Sequence, residues 1–187
     1  MAKEKENKSI MNRRQFIKVS AVVGGSALVS AAKPQTGGST ASQKLIHRNE
    51  RSGMTYRKLG RTNFMSSRLV FGCGAALTGG KGVRLLDRAF EAGINHYDVG
   101  SNLVYKESES SLAPFFRSHR NDIWVVSKAP LATLRINPGD AITTEQAKAA
   151  SKSWTELLNA SLKDLQAGYV DAYYLMGIDN PSVIRCE

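Results

Sequence analysis

Between residues 68 and 176, short apolar runs alternate with helix-spaced segments, and no other feature limits the fold so strongly. Arg68-Leu69-Val70-Phe71-Gly72, Ile94 to Gly100, Ile123 to Lys128 and Val170 to Met176 each read as a strand. The segments between them read as helices. Val83 to Ala92 gathers Leu85, Leu86, Ala89 and Phe90 on one side and stops at Gly93. Ser108 to Ser118 is helical with Pro114 as its weak point. Thr143-Thr144-Glu145-Gln146 has the form of a capping box and opens a long helix to about Gln166. That helix turns Trp154, Leu157, Leu158, Ser161, Leu162 and Leu165 inward. Strands separated by helices make βαβ units, and parallel neighbours need such crossovers. The strands are nearly continuous apolar runs, as burial on both faces requires. An α/β fold follows, with parallel strands near 69–72, 94–98, 123–128 and 171–176. Ahead of it, Met54 to Leu59 and Phe64 to Ser67 flank Gly60-Arg61-Thr62-Asn63 as a short hairpin.

No GxGxxG or GxxxxGK[ST] loop follows the first strand, so a Rossmann or P-loop site lacks its phosphate cradle. Polar residues stand instead at the C-terminal ends of the second and third strands: Asp98 and Lys128. That is where a (β/α)8 barrel carries its chemistry. A carboxylate beside an ammonium keeps both charged. Tyr105, in the loop after the second strand, adds a phenol. A phenol has an ordinary pKa of about 10 and donates protons poorly at neutral pH; a nearby ammonium favours the phenolate and turns the group into a usable acid. The competing readings are a structural ion pair for Asp98 and Lys128 and a surface loop for Tyr105. His96, on the same strand as Asp98, is read as incidental.

These residues resemble a known family. MTYRKLGRTNFMSSRLVFG is similar to the opening hairpin and first strand of aldo-keto reductases. EAGINHYDVGSNLVYKESES resembles their second strand with its Asp and Tyr, and WVVSKAP their third with its Lys. SLKDLQAGYVDAYYLMG is similar to their third helix and fourth strand. The resemblance implies a parallel (β/α)8 TIM barrel of which this chain holds about the first four βα units. It implies hydride transfer from NADPH, with NADH also possible for the family, to an aldehyde or ketone, with no metal. By position, Asp98 would orient Lys128, Lys128 would activate Tyr105, and Tyr105 would protonate the carbonyl oxygen; no cofactor-binding residue is assigned. Three departures stand out. Tyr105 lies seven residues after Asp98, which reads as a two-residue insertion. Lys106 stands where the family has Gly. Met176 stands at the end of the fourth strand where the family has His, and a thioether cannot donate a hydrogen bond. A catalytically impaired pseudoenzyme or binding protein on the same scaffold is the alternative these departures raise.

The first residues form an address rather than a fold. Residues 1–32 carry Lys3, Lys5, Lys8, Arg13, Arg14 and Lys18 against Glu4 and Glu6, then a weakly apolar run ending in Ser30-Ala31-Ala32. NRRQFIK resembles the twin-arginine export motif, with Arg13 and Arg14 as the pair a receptor reads. The expected outcome is a twin-arginine signal peptide over 1–32, a partner in the export machinery, and a periplasmic location. The run is too short and too weakly apolar for a stable membrane span. Residues 33–53 read as a flexible linker rich in Gly, Ser, Thr and charge, leaving 54–187 as the folded part.

The formal charge of +10 invites a nucleic-acid reading. No basic helical stripe, RNA-binding aromatic motif or zinc-finger spacing supports it, so no nucleic-acid partner is expected, and a small carbonyl compound is. A basic surface-binding protein is the weakest of the three functions considered. Cys73 and Cys186 are the only cysteines and form no CxxC, so Cys73 reads as a buried free thiol. Four strands where the family has eight read as a truncated chain, expected to bind little NADPH alone because the phosphate-gripping half is missing.

Overall fold

The structure is a computed structural model that describes residues 44–131, 137 and 139–178. The chain divides into units 1–41 and 42–187, and every described residue lies in the second. The signal segment with Arg13 and Arg14, the linker up to residue 43, and Cys186 lie outside the described residues.

The chain opens with an antiparallel hairpin of β1 (Tyr56–Lys58) and β2 (Met65–Ser67), with Tyr56 opposite Ser67 and Lys58 opposite Met65. Then follow β3 (Phe71–Gly72), α1 (Cys73–Leu77), α2 (Arg84–Glu91), β4 (His96–Asp98), α3 (Asn102–Tyr105), α4 (Ser108–His119), β5 (Trp124–Pro130), α5 (Thr144–Asp164) and β6 (Ala172–Met176). The strands β3-β4-β5-β6 form one sheet in chain order, and every neighbouring pair is parallel. This is the topology that the alternation of apolar runs and helices dictates.

Each element has a local cause. Thr143 and Gln146 close the capping box of α5: Gln146 N donates to Thr143 Oγ1 at 3.2 Å, and Thr143 N donates to Gln146 Oε1 at 2.9 Å. Of the inward set expected for α5, Ser161 and Leu165 are buried, while Trp154, Leu157, Leu158 and Leu162 are half-buried. In α2, Leu86 is buried but Leu85 is 45% exposed. Adjacent helical positions stand about 100° apart, so this single helix buries one and leaves the other outside.

The main core lies between one sheet face and the helices. Tyr97, Val99 and Val125 from the strands meet Leu86, Leu112, Phe115, Phe116 and Leu165 from the helices and the α5 terminus. Each such side chain stabilises the fold by roughly 1.5–3 kcal/mol relative to exposure. On the other face, the hairpin packs over the N-terminal end of the strands. Phe64 stacks on Trp124 with ring centroids 5.1 Å apart. Ser66 Oγ lies 2.9 Å from His96 Nδ1, and burial lowers the His96 pKa from its ordinary value. His96 is thus a structural contact of the hairpin.

Residues 44–53 differ from the linker expectation for 33–53. Ile46 N donates to Asn63 O at 2.9 Å, and Met65 N donates to Ile46 O at 2.9 Å. Asn95 Nδ2 donates to Arg48 O at 2.7 Å, and Asn49 Nδ2 donates to Phe90 O at 2.8 Å. This segment is pinned to the hairpin, to the end of α2 and to the start of β4. Its order comes from long-range polar contacts, which leave no periodic trace in a polar stretch.

Candidate active site

Asp98 ends β4, and Lys128 lies in β5 two residues past Val126, the register partner of Asp98. Side chains alternate along a strand, so Asp98, Val126 and Lys128 share one sheet face, opposite the face that carries Tyr97 and Val125. Lys128 Nζ donates to Asp98 Oδ1 at 2.5 Å and to Val99 O at 3.1 Å. The Asp98 side chain is 39% exposed, so solvent screens the pair. Its effect is orientation of the ammonium more than stability.

Tyr105 joins the pair by way of α3. Ser101 O accepts from Val104 N at 2.9 Å and from Tyr105 N at 3.1 Å. The extra residues after Asp98 therefore coil into a helical turn. Helix advances about 1.5 Å per residue against about 3.3 Å for a strand, so the added length carries Tyr105 little distance away. Thr78 Oγ1 donates to Tyr105 O at 3.1 Å and holds the end of the turn. The Lys128 ammonium lies 5.6 Å from the Tyr105 ring centroid, within cation–π range.

Two glycines that the sequence reading passed over make room for this ring. A Cβ on Gly100 would lie 2.8 Å from Tyr105 Cδ2 and Cε2 and 3.2 Å from Lys128 Cγ. A Cβ on Gly74 would lie 2.9 Å from Tyr105 Cε1 and Cζ. Backbone from α1 and from the β4–α3 loop therefore approaches the phenol ring closely. The only signal in the sequence was a glycine just beyond each of two strand ends.

Lys106 adopts φ 49° and ψ −126°, a conformation suited to glycine. This is the physical reason a glycine suits the position, and Lys106 occupies it under strain. Strain of this kind costs on the order of 1–3 kcal/mol. Lys106→Gly is expected to raise stability by about 1 kcal/mol, net of the added chain entropy of glycine. Thermal melts of the two proteins check this, and a lower melting temperature for the glycine variant would contradict it.

Met176 pairs with Pro130 in register, which puts it on the same sheet face as Tyr174 and Lys128, one alternation further along the strands. It is half-buried and offers no proton. Cys73 is buried, and burial pushes its thiol up from the ordinary value, which leaves it an inert packing residue. Among the described residues, no three His, Cys, Asp or Glu side chains gather as a metal-binding group.

An acidic group, an ammonium and a phenol thus meet at the C-terminal end of a parallel sheet. A family comparison matches residues 71–185 to the aldo/keto reductase family. The chain belongs to the aldo/keto reductase family. Among solved structures, an aldo-keto reductase of Bacillus halodurans in its holo form is 30% identical, with a TM-score of 0.51, over 68% of this chain and 42% of that one. A thermostable aldo-keto reductase in complex with the inhibitor epalrestat is 26% identical, with a TM-score of 0.51, over 68% of this chain and 44% of that one. The chain spans less than half the length of either structure. No curated protein compared with the chain matches it. The four parallel strands of this aldo/keto reductase chain and the helices between them are accordingly part of a (β/α)8 barrel, and Asp98 and Lys128 sit at the barrel end where that fold places its chemistry.

Proposed function

We propose that the protein reduces aldehydes or ketones to alcohols with NADPH, or with NADH, and that Asp98, Lys128 and Tyr105 carry the acid–base part of the reaction. The observation that supports this most is the approach of one ammonium, Lys128, to both the Asp98 carboxylate and the Tyr105 ring. All three side chains are partly accessible at the sheet end, which suits a reaction whose carbonyl and nicotinamide must both reach them. The hydride would come from a nicotinamide bound beside these residues. The Tyr105 hydroxyl donates its proton to the carbonyl oxygen, and the phenolate left behind is stabilised by the Lys128 ammonium. Asp98 holds that ammonium aimed, and a proton from solvent restores the phenol. Gly74 and Gly100 keep the ring in place through the cycle. The test is oxidation of NADPH and NADH by these strands within a complete barrel, against a panel of aldehydes and ketones. Carbonyl-dependent oxidation is expected, and a folded, cofactor-binding protein with none would refute the assignment.

We also propose that the protein is exported folded through the twin-arginine route and works in the periplasm, on the strength of Arg13-Arg14 within NRRQFIK and the weakly apolar run behind it. No helix among the described residues is long and apolar enough to cross a membrane. Replacing Arg13 and Arg14 together by Lys is expected to keep the protein in the cytoplasm. Cell fractionation reads this directly, and unchanged export would overturn it.

A further inference from the structure

Four residues after Tyr105, Glu109 enters the first turn of α4 and is fully buried. No Lys, Arg or His pairs with it among the described residues. Its Oε1 accepts a hydrogen bond from Ser127 Oγ at 2.6 Å, and Ser127 is itself fully buried. Its Oε2 is buried with no partner in good hydrogen-bond geometry, although the Ser161 side chain and the Asn102 backbone also favour its carboxylate. Burial raises its pKa from the ordinary carboxyl value, which favours the neutral acid. Such a group is costly, because a buried carboxyl with no cationic partner gives up more hydration than an apolar residue of similar shape. Leu112, Phe115 and Phe116 already dock α4 onto the sheet. Stability alone therefore does not account for Glu109.

Its placement does. Ser127 directly precedes Lys128 in β5, and the two side chains leave opposite faces of the strand. The Glu109–Ser127 bond thus joins the chain just after the phenol to the strand position just before the ammonium, through the closed interior of the fold. Between Tyr105 and this bond lies Lys106 in its strained conformation, which needs a fixed point on its far side. We propose that Glu109 is a positioning residue that sets the spacing of Tyr105 and Lys128 by anchoring the start of α4 to Ser127. The catalytic part of this inference rests on the carbonyl-reductase reading above.

Three variants of the full protein test it. Glu109→Gln keeps an oxygen that accepts from Ser127, Glu109→Leu removes the acceptor, and Ser127→Ala removes only the donor. Crystal structures read the distance from Lys128 Nζ to the Tyr105 ring, 5.6 Å in the native chain. Glu109→Leu and Ser127→Ala should lengthen it and lower kcat by about tenfold to a hundredfold with little change in KM for the carbonyl. Glu109→Gln should restore the distance and most of the turnover. A distance unchanged in folded Glu109→Leu or Ser127→Ala would overturn the proposal, as would equal damage from Gln and Leu. If Glu109→Leu does not fold, Ser127→Ala decides alone. If the native protein reduces no carbonyl, the function fails, yet the distances still decide whether Glu109 positions the pair.

Discussion

Tyr105→Phe is expected to lower kcat/KM for carbonyl reduction by about 10²–10⁴-fold, the range that removal of a positioned general acid produces. The substitution deletes one hydroxyl and leaves the ring. The ring is what Gly74 and Gly100 approach and what faces the Lys128 ammonium, so its packing should survive. Melting temperature and circular dichroism should therefore match the native protein while turnover collapses. Cofactor affinity should change little, because the lost group acts on the carbonyl oxygen. Turnover within about twofold of native would remove Tyr105 from the acid's role and would leave the Asp98–Lys128 pair a structural one.

Asp171→Ala is expected to destabilise the fold by about 3–5 kcal/mol, as loss of one partner from a buried ion pair does. Asp171 sits just before β6 with its side chain only 7% exposed. Its Oδ2 accepts from Arg120 Nη1 at 2.9 Å and from Val125 N at 2.8 Å, and Arg48 Nη1 lies 3.8 Å from Oδ1. One carboxylate thus ties β6 to β5, to the α4–β5 connection and to the segment ahead of the hairpin. Truncation leaves the Val125 N–H without its acceptor and removes the counter-charge of Arg120 and Arg48, which still donate to Ile123 O. Arg120 keeps its stacking over Tyr169, 3.7 Å from the ring centroid, but that contact cannot satisfy its charge. Denaturant midpoints give the measurement, and a loss below about 1 kcal/mol would show that the carboxylate is replaceable by solvent.

The sheet was legible in the sequence because its strands are apolar runs and its long helix carries a capping box, signals that act within a few residues. The first and third helices were not. Cys73–Leu77 consists mostly of small residues, and Asn102–Tyr105 is a single turn held by the carbonyl of Ser101. The two-residue insertion before Tyr105 raised the prospect of a phenol swung outward. Only the coiling of that insertion, a conformational fact, shows it returning to Lys128. Asp98 and Lys128 were legible because strand ends of a parallel sheet are where polar residues need an explanation. Glu109 was not legible, since a lone acidic residue in a helical segment reads as solvated surface. Its burial depends on the meeting of α4 with β5. Arg48 and Asn49 were lost in a polar stretch for the same reason: their partners lie far along the chain.

Transfer of label shows whether Asp98, Lys128 and Tyr105 promote hydride transfer to a carbonyl. The folded protein is given NADPH carrying deuterium at the reactive position of the nicotinamide, together with an aldehyde. An alcohol with deuterium on its carbinol carbon is expected, formed far faster by the native protein than by Tyr105→Phe. Bound cofactor with no labelled alcohol, or equal labelling by both proteins, would contradict it.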